Sequence, residues 1–405
     1  MTHMPRPSAP LVAAILVLAA FLAGLLAGCA ELPAPACPKC PAAAPTPAPR
    51  SEVRYEPASF AAIPGWQATE FAPGLAAFVR GCPRIASANP LHRACEAARS
   101  ARIEDEAAAR RLVEETFSAW AVHDEEGPAE GLVTGYYEPI LAGSRTRSAR
   151  YRYPAYGVPP DLVAVDLESL HPELRHLRLR GRVEGARLVP YFTRNEIESR
   201  PGFRAPILAW VEDPVELFFL QIQGSGQVAL DSGERLRLGY AEQNGHPYRS
   251  MGRYLVERGE MPLERASMQG IKAWAAANPD KLRAALDSNP SYVFFRESPS
   301  PSGAPGGAGD GPIGTLGVPL TAGYSVAVDP RSVPLGAPVF LATTWPLSTR
   351  PLERFMAAQD TGGAIRGPAR ADFFWGTGDE AGRLAGQMRQ RGRLWILWPR
   401  GEPLP

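Results

Sequence analysis

Lysine is almost missing from this chain: Lys39, Lys272 and Lys281 are the only three in 405 residues. The 43 basic residues, nearly all arginine, are balanced by 42 acidic ones, so no net field draws the protein to nucleic acid or to an anionic surface. No arginine run carries interleaved aromatics, and with Ala, Pro and Gly so abundant the arginine bias reflects compositional drift rather than phosphate recognition. Nor does the long Gly/Pro/Ser stretch from Ser298 to Pro312 contain the Gly-Lys-Ser/Thr of a phosphate cradle. The six histidines stand singly, and the Cys37-Pro-Lys-Cys40 pair has no second Cys/His pair to complete a zinc site, so no metal or organic cofactor is expected.

Charge is also absent from the stretch Leu11–Leu26, which follows Arg6 and ends in Leu26-Ala27-Gly28-Cys29. Small residues directly before a cysteine resemble the cleavage site of a bacterial lipoprotein signal peptide, which implies that residues 1–28 are removed and Cys29 is lipidated. An uncleaved membrane helix is the alternative, because Leu11–Gly28 reaches the about 18 apolar residues at which a span becomes feasible. Ala30 rather than aspartate follows the cysteine, which favours an outer-membrane anchor with the folded part in the periplasm. That compartment permits a disulfide, for which Cys82 and Cys95 are the candidates, whereas Cys37 and Cys40 fall in the linker.

Residues 29–57 are rich in Pro and Ala and too poor in large apolar residues to order a core, so they read as a tether. Asp105–Val122 has apolar residues at helical spacing and acidic residues in its first turn, predicting an amphipathic helix. Gly131–Glu138 reads as a strand ended by Pro139, and Tyr151–Gly239 as short strands forming a separate small β unit. Within that unit Val215–Gly226 passes from an apolar run to a polar, glycine-ended strip, predicting a strand with Gln221 and Gln223 on one face. Two helices are expected at Met268–Asn278 and Pro279–Leu286, and a strand beginning at Asn289–Phe295. Further on, Val326–Asp329, Val339–Leu341 and Leu394–Leu397 read as strands and Asp379–Gln390 as a helix.

Chemistry concentrates in the run from Asp360 to Gly376, where Gly362, Gly363, Gly367 and Gly376 frame two aspartates, Asp360 and Asp372. Asp360-Thr-Gly362 and Asp231-Ser-Gly233 are two copies of the tripeptide that a bilobal aspartic protease would use, with two carboxylates sharing a proton. Their flanks differ, however: Gly363 follows the first and Glu234-Arg235 the second, so no duplicated lobe is visible. The Gln221–Ser225 strip offers amide donors and acceptors beside close-approach glycines, suited either to a hydroxyl-rich ligand or to an exposed strand edge. Tyr136 and Tyr137 read first as packed strand residues, since aromatic residues in strands usually pack, with a sugar platform as the alternative.

Taken together, Thr134-Gly-Tyr-Tyr-Glu-Pro139, Phe219-Leu-Gln-Ile-Gln-Gly-Ser-Gly226, Glu242-Gln-Asn-Gly-His-Pro-Tyr248, Gly317-Val-Pro-Leu-Thr321 and Asp360-Thr-Gly-Gly-Ala-Ile365 resemble the membrane-bound lytic murein transglycosylase A family over about Ile63–Pro399. The resemblance implies a mainly β, α+β lipoprotein: a double-psi β-barrel split in sequence over 58–138 and 240–405, a smaller β-barrel inserted at 139–239, and a glycan groove between them. It also implies that Asp372 is the catalytic acid and Asp360 its supporting carboxylate, with Asp329 the third, structural aspartate of the barrel signature. Thr134, Tyr136, Gln221, Gln223, Gly224 and Ser225 are then candidates for the groove wall, and Trp375 for stacking on a sugar face. Tyr324 departs from the family pattern, which more often carries arginine there. The implied reaction is cleavage of the MurNAc-β-1,4-GlcNAc bond with a 1,6-anhydromuramyl product, by a monomer meeting peptidoglycan strands and candidate cell-wall synthesis partners. A non-catalytic wall-binding lipoprotein and an aspartic protease using Asp231 and Asp360 are the alternatives.

Overall fold

The computed structural model describes residues 53–124, 130–171, 174, 179–298 and 311–405; the leader, Cys29, the Cys37/Cys40 pair and the tether up to residue 52 lie outside them, whereas Arg54–Pro57, expected as the end of the tether, pair as a strand with Trp120–His123. The chain runs through β1 (Arg54–Ala58), α1 (Ala72–Gly81), α2 (His92–Ser100), α3 (Glu106–Thr116), β2 (Phe117–His123) and β3 (Gly131–Glu138). Next come β4 (Ile140–Ser144), β5 (Tyr153–Tyr156), β6 (Val163–Ala164), β7 (Arg180–Glu184), β8 (Arg187–Pro190), α4 (Arg194–Ser199) and β9 (Ile207–Val211). They are followed by α5 (Pro214–Gln223), β10 (Ser225–Leu230), β11 (Arg235–Gln243), α6 (Met251–Glu257), α7 (Met268–Ala277), α8 (Pro279–Asp287) and β12 (Val293–Glu297). The last part holds β13 (Ser325–Val328), β14 (Pro338–Thr344), β15 (Pro351–Asp360), β16 (Ala371–Thr377), α9 (Asp379–Gln387) and β17 (Arg389–Pro399).

The fold is mainly β with flanking helices, and its first sheet closes on itself. Strands β17, β14, β15, β13, β16 and β3 pair in that order, and β3 pairs back onto β17. Closure depends on the length of β17, whose first residues pair with β3 (Arg389 opposite Thr134) while its middle pairs with β14 (Phe340 opposite Trp395) and its end with β2. Within the ring the β13–β15 and β16–β3 pairs are parallel and the rest antiparallel. Val326, Val339, Met356 and Phe373 on one face of the sheet and Phe340 and Phe355 on the other, the latter beside α1, join Leu75 and Phe78 of α1 in one core. The half-turn between α1 and α2 is tied by a disulfide between Cys82 and Cys95.

A second sheet, ordered β12-β11-β10-β4-β9-β5, has its two edges joined by a bridge between Gly157 and Phe295. It carries its own core of Leu141, Val211, Leu220, Val228 and Leu238. Because β11 and β12 both belong to it, the expected boundary at residue 239 cuts through β11, and the sheet continues to Glu297. Strands β6, β7 and β8 form a small third sheet.

Three elements differ from expectation. Asp105–Val122 is not one helix: Asp105 caps α3 through its side chain, but the helix stops at Thr116, and Phe117–His123 becomes β2 between β1 and β17. Helical spacing and half-buried strand spacing overlap in a run this apolar, and pairing on both sides decided the outcome. Val215–Gln223 is helix, not strand. Asp213 accepts from Val215 N and Glu216 N, Pro214 opens the first turn, and Gly224 ends it at φ 80°, where only glycine is unstrained. Its apolar residues face two cores, which removes the polar side that would have marked it as an amphipathic helix. Finally, α9 ends at Gln387, and Arg389 and Gln390 already belong to β17.

The two barrels meet at Glu138, the fully buried last residue of β3. Arg237 of β11 forms an ion pair with it at 2.8 Å, and Gln227 of β10 and Thr377 of β16 donate to its Oε2 at 2.8 and 2.9 Å. Breaking a buried pair by removing one partner typically costs roughly 3–5 kcal/mol, because the other charge is left desolvated. Glu138→Ala is therefore expected to lower unfolding stability by about that amount in urea titrations, whereas a loss under about 1 kcal/mol would mean that the node is solvated.

Candidate active site

One row of residues crosses the first barrel, with a register shift at its β13–β15 step. Ala327 of β13 lies opposite Asp360 on one side and Asp372 on the other; Asp372 is opposite Thr134 of β3, and Thr134 is opposite Arg389 of β17. Side chains at regularly paired positions leave a sheet on the same face, so this row brings together neighbours 33 to 255 positions apart in sequence. Adjacent strands are about 4.8 Å apart, which sets the two aspartates roughly two strand spacings from each other, with the small Ala327 between. Two residues along β3, Tyr136 projects to the same side, its ring tilted against Phe374 of β16 at 5.2 Å.

Asp360 is held from two directions. Its Oδ1 accepts from Thr315 N at 2.9 Å and Thr315 Oγ1 at 2.8 Å, and its Oδ2 accepts from the Tyr136 hydroxyl at 3.1 Å. Burial raises the Asp360 pKa above the ordinary range even against these donors, which favour the ion. The Tyr136 phenol is pushed well above its usual value, first by burial and then by the charges of Asp360 and Asp372, so it remains a donor.

Asp372 is held from one side only. Its Oδ1 lies 2.5 Å from Thr134 Oγ1, while no described residue hydrogen-bonds its Oδ2. Burial raises its pKa to about 6; Thr134 and Arg370 act in the opposite direction, and the charge of Asp360 adds to the rise. It nevertheless keeps part of its surface open to solvent. A carboxyl group in this state can give up a proton and take one back near neutral pH.

Asp329, the third aspartate, is buried at the end of β13 and fully engaged. Arg331 makes a forked pair with it and Gly367 N donates at 2.8 Å, so it ties the 361–370 loop to the barrel. Although burial opposes ionisation, these donors hold its pKa below the ordinary value. Tyr324 donates to Glu70 Oε2 at 2.8 Å with Arg354 over its ring.

The other candidates do not join this row. Gln221 and Gln223 project to different sides of α5: Gln221 is buried next to Tyr292, and Gln223 Oε1 accepts from Tyr137 N at 3.1 Å. Gly224 caps that helix and Ser225 starts β10. Trp375 falls on the face of β16 opposite Asp372, against Phe373 at 4.6 Å and Trp345 at 5.1 Å, because strand residues alternate. Asp231 opens the exposed β10–β11 turn in the other sheet, and none of the polar contacts of Asp360 involves it. A cavity of about 190 Å³ lined by Tyr137, Phe219, Gln223, Met251 and Met268 among others includes neither Asp360 nor Asp372. Sequence reasoning missed Thr315 and Arg370. Thr315 carries no local signal, but Arg370 stands two residues before Asp372, the spacing that puts two side chains on one face of a strand.

A family profile described as the MltA specific insert domain matches residues 132–296, and one described as the 3D domain matches residues 324–398. The membrane-bound lytic murein transglycosylase A of Escherichia coli K12 is 32% identical over 286 residues, covering 69% of this chain and 68% of that protein. The chain belongs to the membrane-bound lytic murein transglycosylase A family. A crystal structure of MltA from Neisseria gonorrhoeae in a monoclinic form superposes with a TM-score of 0.75 at 40% identity, covering 90% of this chain and 99% of that one. E. coli MltA with bound chitohexaose superposes with a TM-score of 0.61 at 27% identity, covering 86% and 92%. In MltA terms the insert match spans the second sheet to within a residue of its last strand, and the 3D match spans β13–β17 with all three aspartates. The barrel of this MltA family member is accordingly the double-psi barrel of the 3D domain.

The raised Asp372 pKa has a consequence for stability. A native carboxyl that titrates near 6 binds more protons than its unfolded counterpart between about pH 4 and 6, so stability falls as pH rises through that window. Asp372→Asn removes the charge. It is expected to raise unfolding stability by on the order of 2 kcal/mol above pH 6.5 and by little below pH 4. Parallel melting curves at pH 4 and 8 check this; equal shifts at both would mean that burial does not perturb Asp372.

Proposed function

We propose that this chain is a peptidoglycan lytic transglycosylase that cleaves the MurNAc-β-1,4-GlcNAc bond, with Asp372 as general acid and then general base. The observation that carries the reading is the inequality of the two aspartates. Both oxygens of Asp360 are occupied by Thr315 and Tyr136, whereas no described residue hydrogen-bonds Oδ2 of Asp372, whose pKa is raised to about 6 by burial. Family membership supports the substrate class, and the chitohexaose held by the E. coli relative supports binding of a β-1,4-linked glycan.

The chemistry follows from that inequality. Protonated Asp372 gives its proton to the glycosidic oxygen as the C1–O bond breaks and positive charge builds on C1. The C6 hydroxyl of the same muramyl sugar then closes onto C1 and returns its proton to the Asp372 carboxylate. Atoms balance with no water consumed, giving a 1,6-anhydromuramyl end and restoring the acid. An ordinary glycosidase needs a second carboxylate free to activate water or to attack C1, and Asp360, bonded at both oxygens, is engaged otherwise. Its charge stabilises the developing cation, and repulsion from it helps keep Asp372 protonated. Intramolecular closure draws on pre-organisation, so the protein's main task is to hold the sugar.

The reading includes a groove between the two barrels as the glycan's path and an outer-membrane lipid anchor at Cys29. The relatives' description as membrane-bound supports the anchor, and among the described residues no helix is long and apolar enough to cross a membrane. Cys29→Ser is expected to abolish incorporation of labelled palmitate in cells; unchanged labelling would remove the anchor from this proposal.

Digestion of purified sacculi followed by mass spectrometry tests the chemistry: every new muramyl end should lack one water relative to a reducing end. Reducing MurNAc ends would overturn the transglycosylase reading in favour of hydrolysis. Asp372→Asn should lower kcat/KM about 10²- to 10⁴-fold, the usual worth of a general acid. In the parent enzyme kcat/KM should decline as pH rises through about 6. Solubilisation unchanged in Asp372→Asn would instead indicate a binding protein.

A further inference from the structure

Arg370 is absent from the roles above, yet its guanidinium is wedged beside the acid. One nitrogen donates to Leu132 O at 3.0 Å and also to Ala371 O, and the other donates to Thr134 Oγ1 at 2.8 Å. Arginine has no acceptor, so Thr134 receives from it and keeps its single proton for another partner. That partner is Asp372 Oδ1, 2.5 Å away. We infer that Arg370 is a positioning residue for the reaction: through Thr134 it makes Oδ1 of Asp372 an acceptor and thereby confines the catalytic proton to Oδ2. Resting on the reading of Asp372 as general acid, this reassigns Thr134 from the groove wall to the support of the acid.

Donor arithmetic carries the inference. If the acid proton were on Oδ1 and pointed at Thr134, the threonine oxygen would accept from both neighbours, and its own proton would lose the acceptor it has here. A hydroxyl polarised by a cation is also the poorer acceptor and the better donor. The proton therefore rests on the oxygen that no described residue hydrogen-bonds, which is the one available to a glycosidic oxygen.

Interposing a threonine also explains why the cation does not disable the acid. The same barrel contains the contrasting case: Arg331 binds Asp329 directly, and that carboxyl is held below its ordinary range. Arg370 is kept at one remove, its orientation fixed by two backbone carbonyls on different strands, and Asp372 stays high. The other charged or titratable groups facing Asp372 are Asp360 at the end of β15, Tyr136 on β3, and Arg389, which shares a register row with Thr134 on β17.

Rates and pH profiles of Arg370→Gln, Arg370→Lys, Thr134→Val and the double variant Arg370→Gln/Thr134→Val test the relay on sacculi, with melting curves confirming that each variant folds. Arg370→Gln and Thr134→Val should each lower kcat about 10- to 100-fold, as expected for one charge-assisted hydrogen bond. The double variant should fall little below the worse single one, because both act through one chain of contacts. Removing a nearby cation should move the alkaline limb of kcat/KM up by about one pH unit in Arg370→Gln, and Arg370→Lys should restore its position. Multiplicative losses, or an alkaline limb unmoved in Arg370→Gln, would overturn the relay. Asp372→Asn in the same assay separates the two levels. If it is inactive while the Arg370 variants behave as the parent, only the relay fails; if it is active, the general-acid reading fails with it.

Discussion

The parallel pairing of β3 with β16 is the constraint on which the site depends. It brings Thr134 beside Asp372 across a 238-residue separation and so supplies the hydrogen bond that opposes the effect of burial on that carboxyl. Parallel strands cannot be joined by a tight turn, so the chain must leave and come back. Here the return path contains an entire second barrel, and only when β16 adds to β3 does the ring close through β17. A slip of one residue in that pairing would turn Asp372 toward the core and Phe373 toward solvent. The packing of Phe373, itself completely buried, therefore helps to set the orientation of the carboxylate next to it.

In and beside the row, burial and hydrogen-bond count have been divided unequally among three aspartates of the same chemistry. Asp329 receives a direct arginine and is driven toward the ion; Asp360 receives three donors yet is raised by burial; Asp372 receives one hydroxyl and is raised to about 6. Each direction follows from the balance between the water a carboxylate loses and the donors it gains. Of the two neighbouring carboxylates, Asp360 has both oxygens hydrogen-bonded, whereas among the described residues only one oxygen of Asp372 has a partner.

Glu138 connects this chemistry to the larger architecture. It ends the strand that carries Thr134 and Tyr136 and is bonded by residues of both barrels, so the strand bearing the acid's partners is also the one by which the inserted unit is fastened. Buried ionic nodes contribute little net stability compared with apolar packing, but they tolerate few alternative geometries. Such a node at the junction constrains how the two units are oriented.

Much of this was legible in sequence where local chemistry is decisive. Helices α7 and α8 and the strand at β3 can be read from periodicity and turn residues, and Cys82 with Cys95 is a candidate pair that the structure shows bonded. Reading failed where one pattern serves two structures: Val215–Gln223 is apolar on several sides because two cores flank it, and Phe117–His123 continues a helical rhythm until strand pairing claims it. The site showed the same division. Sequence alone determined which residues could do acid–base work, because carboxylates and their glycine frame are local facts. Which oxygen of Asp372 lacks a partner among the described residues, which face Trp375 takes, and that Thr315 lies against Asp360 and Arg370 against Thr134 were decided only by the tertiary structure. Hydrogen-bond partners and desolvation depend on neighbours contributed by distant strands, and no local pattern encodes them.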